Sequence, residues 1–152
     1  MIVYQISKEK YIYDLSGIGS SKYPGRWNSK NTFVVYTAAT PSLALLESVV
    51  HIKTLGEVDY FMATIILPDI AVKIVGIEDL PINWSVSPPP DRLKLIGDQF
   101  INEGKYLSMR IPSAIMPEDF TYLLNPAHPA FKNVSVKETK SINIDSRLMR
   151  SL

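Results

Sequence analysis

The sequence predicts an α+β fold: one domain built on a bent or split mixed sheet with two main helices. Three observations predict it. Short β-rich runs recur along the whole chain, only two segments carry a sustained helical period, and the two kinds do not alternate in the regular βαβ rhythm of a parallel sheet. Length agrees, because 152 residues with 46% hydrophobic content fit one compact core, and residues 1–152 are taken as a single domain.

The elements follow in order. Residues 1–6 alternate as a first strand, with Val3 and Gln5 on one face and Ile2, Tyr4 and Ile6 on the other. Residues 16–24 hold Gly17, Gly19, three serines and Pro24, the composition of a mobile loop that delivers Arg26 at its exit, on a strand edge. Residues 33–37 are β-rich. Thr40 as N-cap and Pro41 at the first helical position then start a helix running to about Lys53. On it Leu43, Leu45, Leu46, Val49, Val50 and Ile52 cover about half the circumference, the pattern of a largely buried helix, with Glu47 at the margin and His51 a turn later on that flank. Strands are expected over 60–67 and 72–75. Ser85 to Pro90 is a rigid extended connection, and Asp91 caps a second helix that carries Leu93, Ile96, Phe100 and Ile101 and stops at Gly104. Leu107, Met109 and Ile111 alternate as a strand ending at Pro112-Ser113, and 121–124, 134–137 and 142–144 complete about eight strands.

Composition excludes several classes. A net charge of +1 without a basic run argues against direct nucleic-acid binding, and the absence of cysteine removes disulfides, thiolate catalysis and zinc–thiolate sites. Two histidines, His51 and His128, with no second carboxylate at ligand spacing, make no metal site. No apolar run approaches the ~20 residues a membrane-spanning helix needs, so a cytoplasmic protein is expected. Phosphate-loop, dinucleotide-glycine and Gly-x-Ser-x-Gly patterns are also absent, so a Rossmann-type nucleotide site and a serine nucleophile elbow are not expected.

What remains is a constellation on adjacent short elements: Arg26, Trp27 and Asn28, then Tyr36, then Glu47. An arginine fork suits a pyrophosphate or ribose hydroxyls, a tyrosine face suits a cationic ring, and a carboxylate suits the positive charge that develops as a ribose loses its leaving group. Each has an ordinary reading beside it: Arg26 snorkelling over Trp27, Tyr36 half-buried in a strand, Glu47 reaching solvent. Ser113, at a strand end, is either a turn former or a hydroxyl facing a cleft.

The same residues resemble the RES domain family. The resemblance rests on Val3-Tyr4-Gln5-Ile6, Gly25-Arg26-Trp27-Asn28-Ser29-Lys30, Tyr36-Thr37-Ala38, Ser42-Leu43-Ala44-Leu45-Leu46-Glu47, Ile96-Gly97-Asp98, Ile111-Pro112-Ser113-Ala114 and Leu123-Leu124-Asn125-Pro126, in that order along most of the chain. It implies an ADP-ribosyltransferase-like split sheet, NAD as the substrate, and a toxin that cleaves the nicotinamide–ribose bond by hydrolysis, phosphorolysis or ADP-ribosyl transfer. It implies catalytic roles for Arg26, Tyr36, Glu47 and Ser113, with Trp27, Asn28 and Gln5 joining them in binding. The partners implied are a cognate Xre-like helix-turn-helix antitoxin, which carries the DNA contacts, and a second copy in a homodimer. Gln5 stands where relatives often carry arginine, and Pro24-Gly25 where they often carry paired glycines. The loss of that cation motivates the alternative, a catalytically silent RES-like module kept for partner binding.

Overall fold

A computed structural model of the chain describes residues 1–53, 55–56 and 58–149. Seven strands form one sheet: β1 (Ile2–Lys8), β2 (Val35–Ala38), β3 (Tyr60–Ile66), β4 (Lys73–Ile74), β5 (Ser108–Pro112), β6 (Phe120–Leu124) and β7 (Ser135–Ile142). Their spatial order is β4-β5-β6-β2-β1-β3-β7. Only β4 and β5 pair in parallel, which makes the sheet mixed, as expected. The helices are α1 (Ile18–Lys22), α2 (Pro41–Val49) and α3 (Arg92–Glu103).

The sheet opens between β1 and β2. They share a single registered pair, Tyr4 with Ala38, whereas β1 and β3 stay paired from Ile2–Ile66 through Lys8–Tyr60. Beyond Tyr4 the two strands part, leaving Gln5 and Ser7 on one lip and Val35 and Tyr36 on the other. Strand alternation then assigns the faces. Tyr4, Ile6 and Ala38 pack with Leu43 and Ala44 of α2, and Tyr36, Leu123, Met109 and Ile111 pack with Leu93 and Phe100 of α3, so both main helices cover one face. Val3, Val35, Ala63, Ile65 and Leu124 form a second core on the opposite face with Ile12.

Several elements differ from expectation. The run foreseen at 134–137 extends into one long edge strand, β7, that ends at Ile142, and residues 143–144 form no strand of their own, so among the described residues the strands number seven. The stretch taken as a mobile loop contains α1, entered through Gly17 at φ 75°, where a Cβ would press within 2.7 Å of the Val34 nitrogen. Arg26 lies in a turn, not on a strand edge. α2 ends at Val49 instead of continuing to about Lys53, and only Leu43 and Ala44 on it are fully buried; Val50 is 59% exposed and His51 is on the surface. Apolar periodicity overstated its burial because the helix meets the central strands β1 and β2 mainly through Leu43 and Ala44 of its first turn, against Tyr4, Ile6 and Ala38. Thr40 does cap it, its hydroxyl accepting the Leu43 amide at 3.1 Å. Asp91 precedes α3 without capping it and pairs with Lys94 at 3.3 Å. Gly104 ends α3 in the left-handed region at φ 61°.

Candidate active site

The turn at Gly25–Ser29 is built around a buried amide. Asn28 is 0% exposed. Its Oδ1 accepts the Gly25 amide at 2.9 Å and the Tyr36 hydroxyl at 2.7 Å, while Nδ2 donates to the carbonyls of Ser20, Ser29 and Thr32 at 2.8, 3.2 and 3.2 Å. Tyr36 Oη in turn accepts the Trp27 amide at 3.1 Å. Gly25 is needed for this closure, since a Cβ there would lie 2.8 Å from the Tyr36 oxygen. Trp27 is buried in the core against α3. Trp27 and Asn28 therefore stand behind the site and hold it, with no surface of their own left for a ligand. Desolvation pushes the Tyr36 phenol far above its ordinary pKa and nearby Asp98 adds to it, outweighing the Trp27 amide and the Arg26 charge, so the hydroxyl stays protonated as a donor to Asn28.

Arg26 leaves this turn and is held by the connection that precedes α3. Nη1 donates to the carbonyls of Trp84 and Val86 at 2.8 and 2.9 Å. Half-burial depresses its proton affinity, whereas the Glu47 carboxylate and Tyr36 push it up, which places Arg26 within electrostatic reach of both. Fixing one nitrogen by two carbonyls orients the guanidinium and leaves the rest of its fork for a ligand.

Glu47 projects from α2, partly exposed. Its Oε1 accepts the Ser113 hydroxyl at 2.7 Å. Ser113 is 1% exposed, and its Oγ also accepts the amides of Ile115 and Met116 at 3.1 and 3.2 Å, so the hydroxyl proton has no choice but to point at the carboxylate. Asp119 ties the pair together: its side chain accepts the Thr40 hydroxyl at the start of α2 at 2.9 Å, and its carbonyl accepts the Ser113 amide at 2.9 Å. One oxygen of Glu47 is thus fixed. Among the described residues no hydrogen bond engages the other.

The opening between β1 and β2 is a cleft of about 440 Å³ lined by Gln5, Ser7, Tyr11, Gly17, Tyr23 and Tyr36, among others. Gln5 lies at its wall with Oε1 buried and unpartnered. Arg26, Glu47 and Ser113 do not line this cleft; they lie past Tyr36, on the helical face of the sheet. Tyr36 is the residue the two halves share. His51, in contrast, is exposed beyond the end of α2, and His128 uses Nδ1 to cap a turn by accepting the Ala130 amide at 3.1 Å. Among the described residues no group of three His, Cys, Asp or Glu is placed to hold a metal ion. No described helix is long and apolar enough to cross a membrane.

Sequence reasoning missed four contributors to this geometry: the side chains of Asp98 and Asp119 and the carbonyls of Trp84 and Val86. Asp98 accepts the Ser29 amide at 2.9 Å and the Ser29 hydroxyl at 2.5 Å. Desolvation raises its pKa, but the Ser29 and Thr32 hydrogen bonds and the Lys94 charge outweigh it and hold the carboxyl below the ordinary range. Its only sequence signal was its place beside Gly97 in the quoted resemblance; backbone carbonyls carry no signal at all.

A mixed sheet parted between β1 and β2, with a tyrosine at the parting and an oriented arginine and a serine-held glutamate on its helical face, makes this a small single-domain α+β protein. The chain belongs to the RES domain family, whose model matches residues 2–145. It is 33% identical to Toxin Res of Yersinia enterocolitica, with 97% of this chain and 99% of that one covered, and 34% identical to Toxin Res of Pseudomonas putida over the same shares. It is also similar to the Prs ADP-ribosylating toxin of a Sphingobium species, 31% identical with 90% and 88% covered. The fold matches a chain of the M. tuberculosis MbcT–MbcA toxin–antitoxin complex with a TM-score of 0.74 over 93% of this chain and 83% of that one, at 14% identity.

Proposed function

We propose that this chain is the toxin of a toxin–antitoxin pair and that it cleaves the nicotinamide–ribose bond of NAD. The observation that carries the reading is the Glu47–Ser113 pair beside Arg26. A carboxylate with one oxygen immobilised at 2.7 Å and the other free, next to an arginine fork, suits a ribose that gains positive charge while its phosphates stay bound. In this reading Arg26 grips the pyrophosphate or ribose hydroxyls and Tyr36 borders the ring. Glu47 stabilises the oxocarbenium-like C1 as the C–N bond breaks and its electron pair leaves with the pyridine nitrogen. Ser113 orients Glu47, and an oxygen of water, phosphate or a protein side chain bonds to C1 in place of the nicotinamide, its proton, where it carries one, passing to solvent.

Gln5 supplies the far contact. Its buried carbonyl oxygen lacks a donor, and once the side chain turns toward the cleft that oxygen fits a ligand N–H or O–H, such as a ribose hydroxyl. NAD would then run from the Gln5 cleft past Tyr36 to Glu47. The relatives named Toxin Res and Prs ADP-ribosylating toxin support both the toxin reading and the chemistry, and the MbcT–MbcA complex supports an antitoxin partner for a chain of this fold. We assign that partner to the Xre-like helix-turn-helix class, with a homodimer as the other assembly.

The test is induced expression with and without the neighbouring antitoxin gene, read as cellular NAD. NAD should fall and growth stop with the toxin alone, and both should recover with the partner. Unchanged NAD with normal growth would leave the silent partner-binding module as the better account.

A further inference from the structure

Helix α3 touches the Gly25–Ser29 turn at two successive residues. At Gly97 a Cβ would sit inside the van der Waals shell of the Trp27 carbonyl oxygen, so the helix can approach the backbone of the turn only through a glycine. One residue on, Asp98 takes both the amide and the hydroxyl of Ser29, at 2.9 and 2.5 Å. The segment leading into the same helix supplies the two carbonyls that hold Arg26 Nη1. The turn is therefore held on the α3 side at both ends: at Arg26 by the incoming chain and at Ser29 by the helix.

The chemistry of that hold is unusually strong for a surface turn. A carboxylate receiving two hydrogen bonds is charge-assisted, and each such bond outweighs a neutral one. Asp98 is only partly exposed, which keeps water from substituting for Ser29 at low cost. Arg26 sits three residues from Ser29 on a turn with no regular secondary structure, so a slackened Ser29 displaces the arginine. A displacement of about 1 Å in a group that positions substrate can cost on the order of 10²-fold in rate.

We propose that Asp98 is a positioning residue for Arg26: through Ser29, and with Gly97 giving the backbone access, it sets the guanidinium against Glu47. This rests on the NAD-cleaving reading of Arg26 and Glu47. The prediction is specific, because Asp98 acts through Arg26 and not on the fold at large.

A double-mutant cycle on purified full-length protein tests it, reading kcat/KM for NAD in wild type, Asp98→Ala, Arg26→Ala and the double variant. Asp98→Ala should lower kcat/KM by about 10- to 100-fold, mainly through KM, and should cost little or nothing further once Arg26 is gone. Asp98→Asn, which keeps an acceptor for the Ser29 amide and a donor for its hydroxyl, should restore most of the loss. Equal losses in both backgrounds, or an asparagine variant as impaired as alanine, would overturn the proposal. If Asp98→Ala does not fold, Ser29→Ala replaces it in the cycle. Amide hydrogen exchange across residues 25–32 provides the readout that needs no turnover: protection should drop in Asp98→Ala while the β1–β3 amides keep theirs, and unchanged protection would sink the clamp. Wild-type protein that leaves NAD intact would instead defeat the reading beneath it, with the exchange result still judging the clamp.

Discussion

The two sides of Tyr36 are built to opposite rules. On the helical side the supporting polar groups are spoken for: Asn28 is saturated, Arg26 Nη1 is shared by two carbonyls, and the Ser113 hydroxyl makes three hydrogen bonds. On the other side the sheet parts after one pair and Gln5 presents a buried oxygen to nothing. On the proposed reading the difference separates two tasks. Groups that act on developing charge gain from being fixed beforehand, because no reorganisation is then needed during the reaction. A group that recognises an incoming ligand must remain unsatisfied until it arrives, and the free protein bears that cost.

The comparison breaks most visibly at Glu47. Glu47→Gln removes a charge that matters chiefly in the transition state while keeping an oxygen for the Ser113 hydroxyl. Turnover of NAD should fall by on the order of 10²-fold or more, with the thermal midpoint nearly unchanged. A folded variant with near-normal turnover would mean that the fixed side is fixed for some other purpose.

Arg26→Lys is the next in size. Lysine keeps the charge but cannot donate to Trp84 and Val86 and present a planar fork to a ligand at once. The Michaelis constant for NAD should rise about tenfold or more, equivalent to ~1.4 kcal/mol of lost binding. An unchanged Michaelis constant in the lysine variant would show Arg26 to be an ordinary surface cation.

Ser113→Ala is expected to do less, and in a different parameter. It removes the hydrogen bond that orients Glu47 without removing the charge, a contact to an ionised group of ~1.5 kcal/mol, or roughly tenfold. The loss should fall on kcat and leave KM alone, since Ser113 is only 1% exposed. A change confined to KM would instead make Ser113 a substrate contact.

The two sides were also unequally legible in the sequence. Strand alternation, the Thr40-Pro41 helix start and Gly104 as a helix stop emerge from local periodicity and turn chemistry, and the structure contains all three. The length of α2 did not, because apolar residues at 50 and 52 continued the helical period past Val49, although only Leu43 and Ala44 in the first turn are buried against the sheet. Arg26, Tyr36, Glu47 and Ser113 stood out by residue type and by the family resemblance, but their division between a fixed pair and an open cleft did not. That division arises from long-range pairings such as Ser29 with Asp98 and Thr40 with Asp119, which no local pattern encodes. Trp27 and Asn28 look like ligand contacts in a motif and become supports once the core closes over them.

The smallest expected effect addresses the open side, and it runs in two directions at once. Gln5→Met keeps the length of the side chain and deletes the orphaned amide, so the free protein should gain on the order of 1 kcal/mol in stability by no longer burying an unpaired carbonyl. The same change removes the acceptor proposed to meet the ligand, so the Michaelis constant for NAD should rise severalfold, up to about tenfold. The two readouts together are what matter: a thermal midpoint that rises while affinity falls is the signature of a group held unsatisfied for a ligand. Gln5→Arg sharpens the chemistry, because arginine offers only donors. Weaker NAD binding in that variant would support an N–H or O–H of the substrate at this position, whereas tighter binding would put the pyrophosphate there. A Gln5→Met variant that changes neither stability nor affinity would mean that the oxygen finds water in solution, and that the cleft between β1 and β2 contributes nothing to recognition.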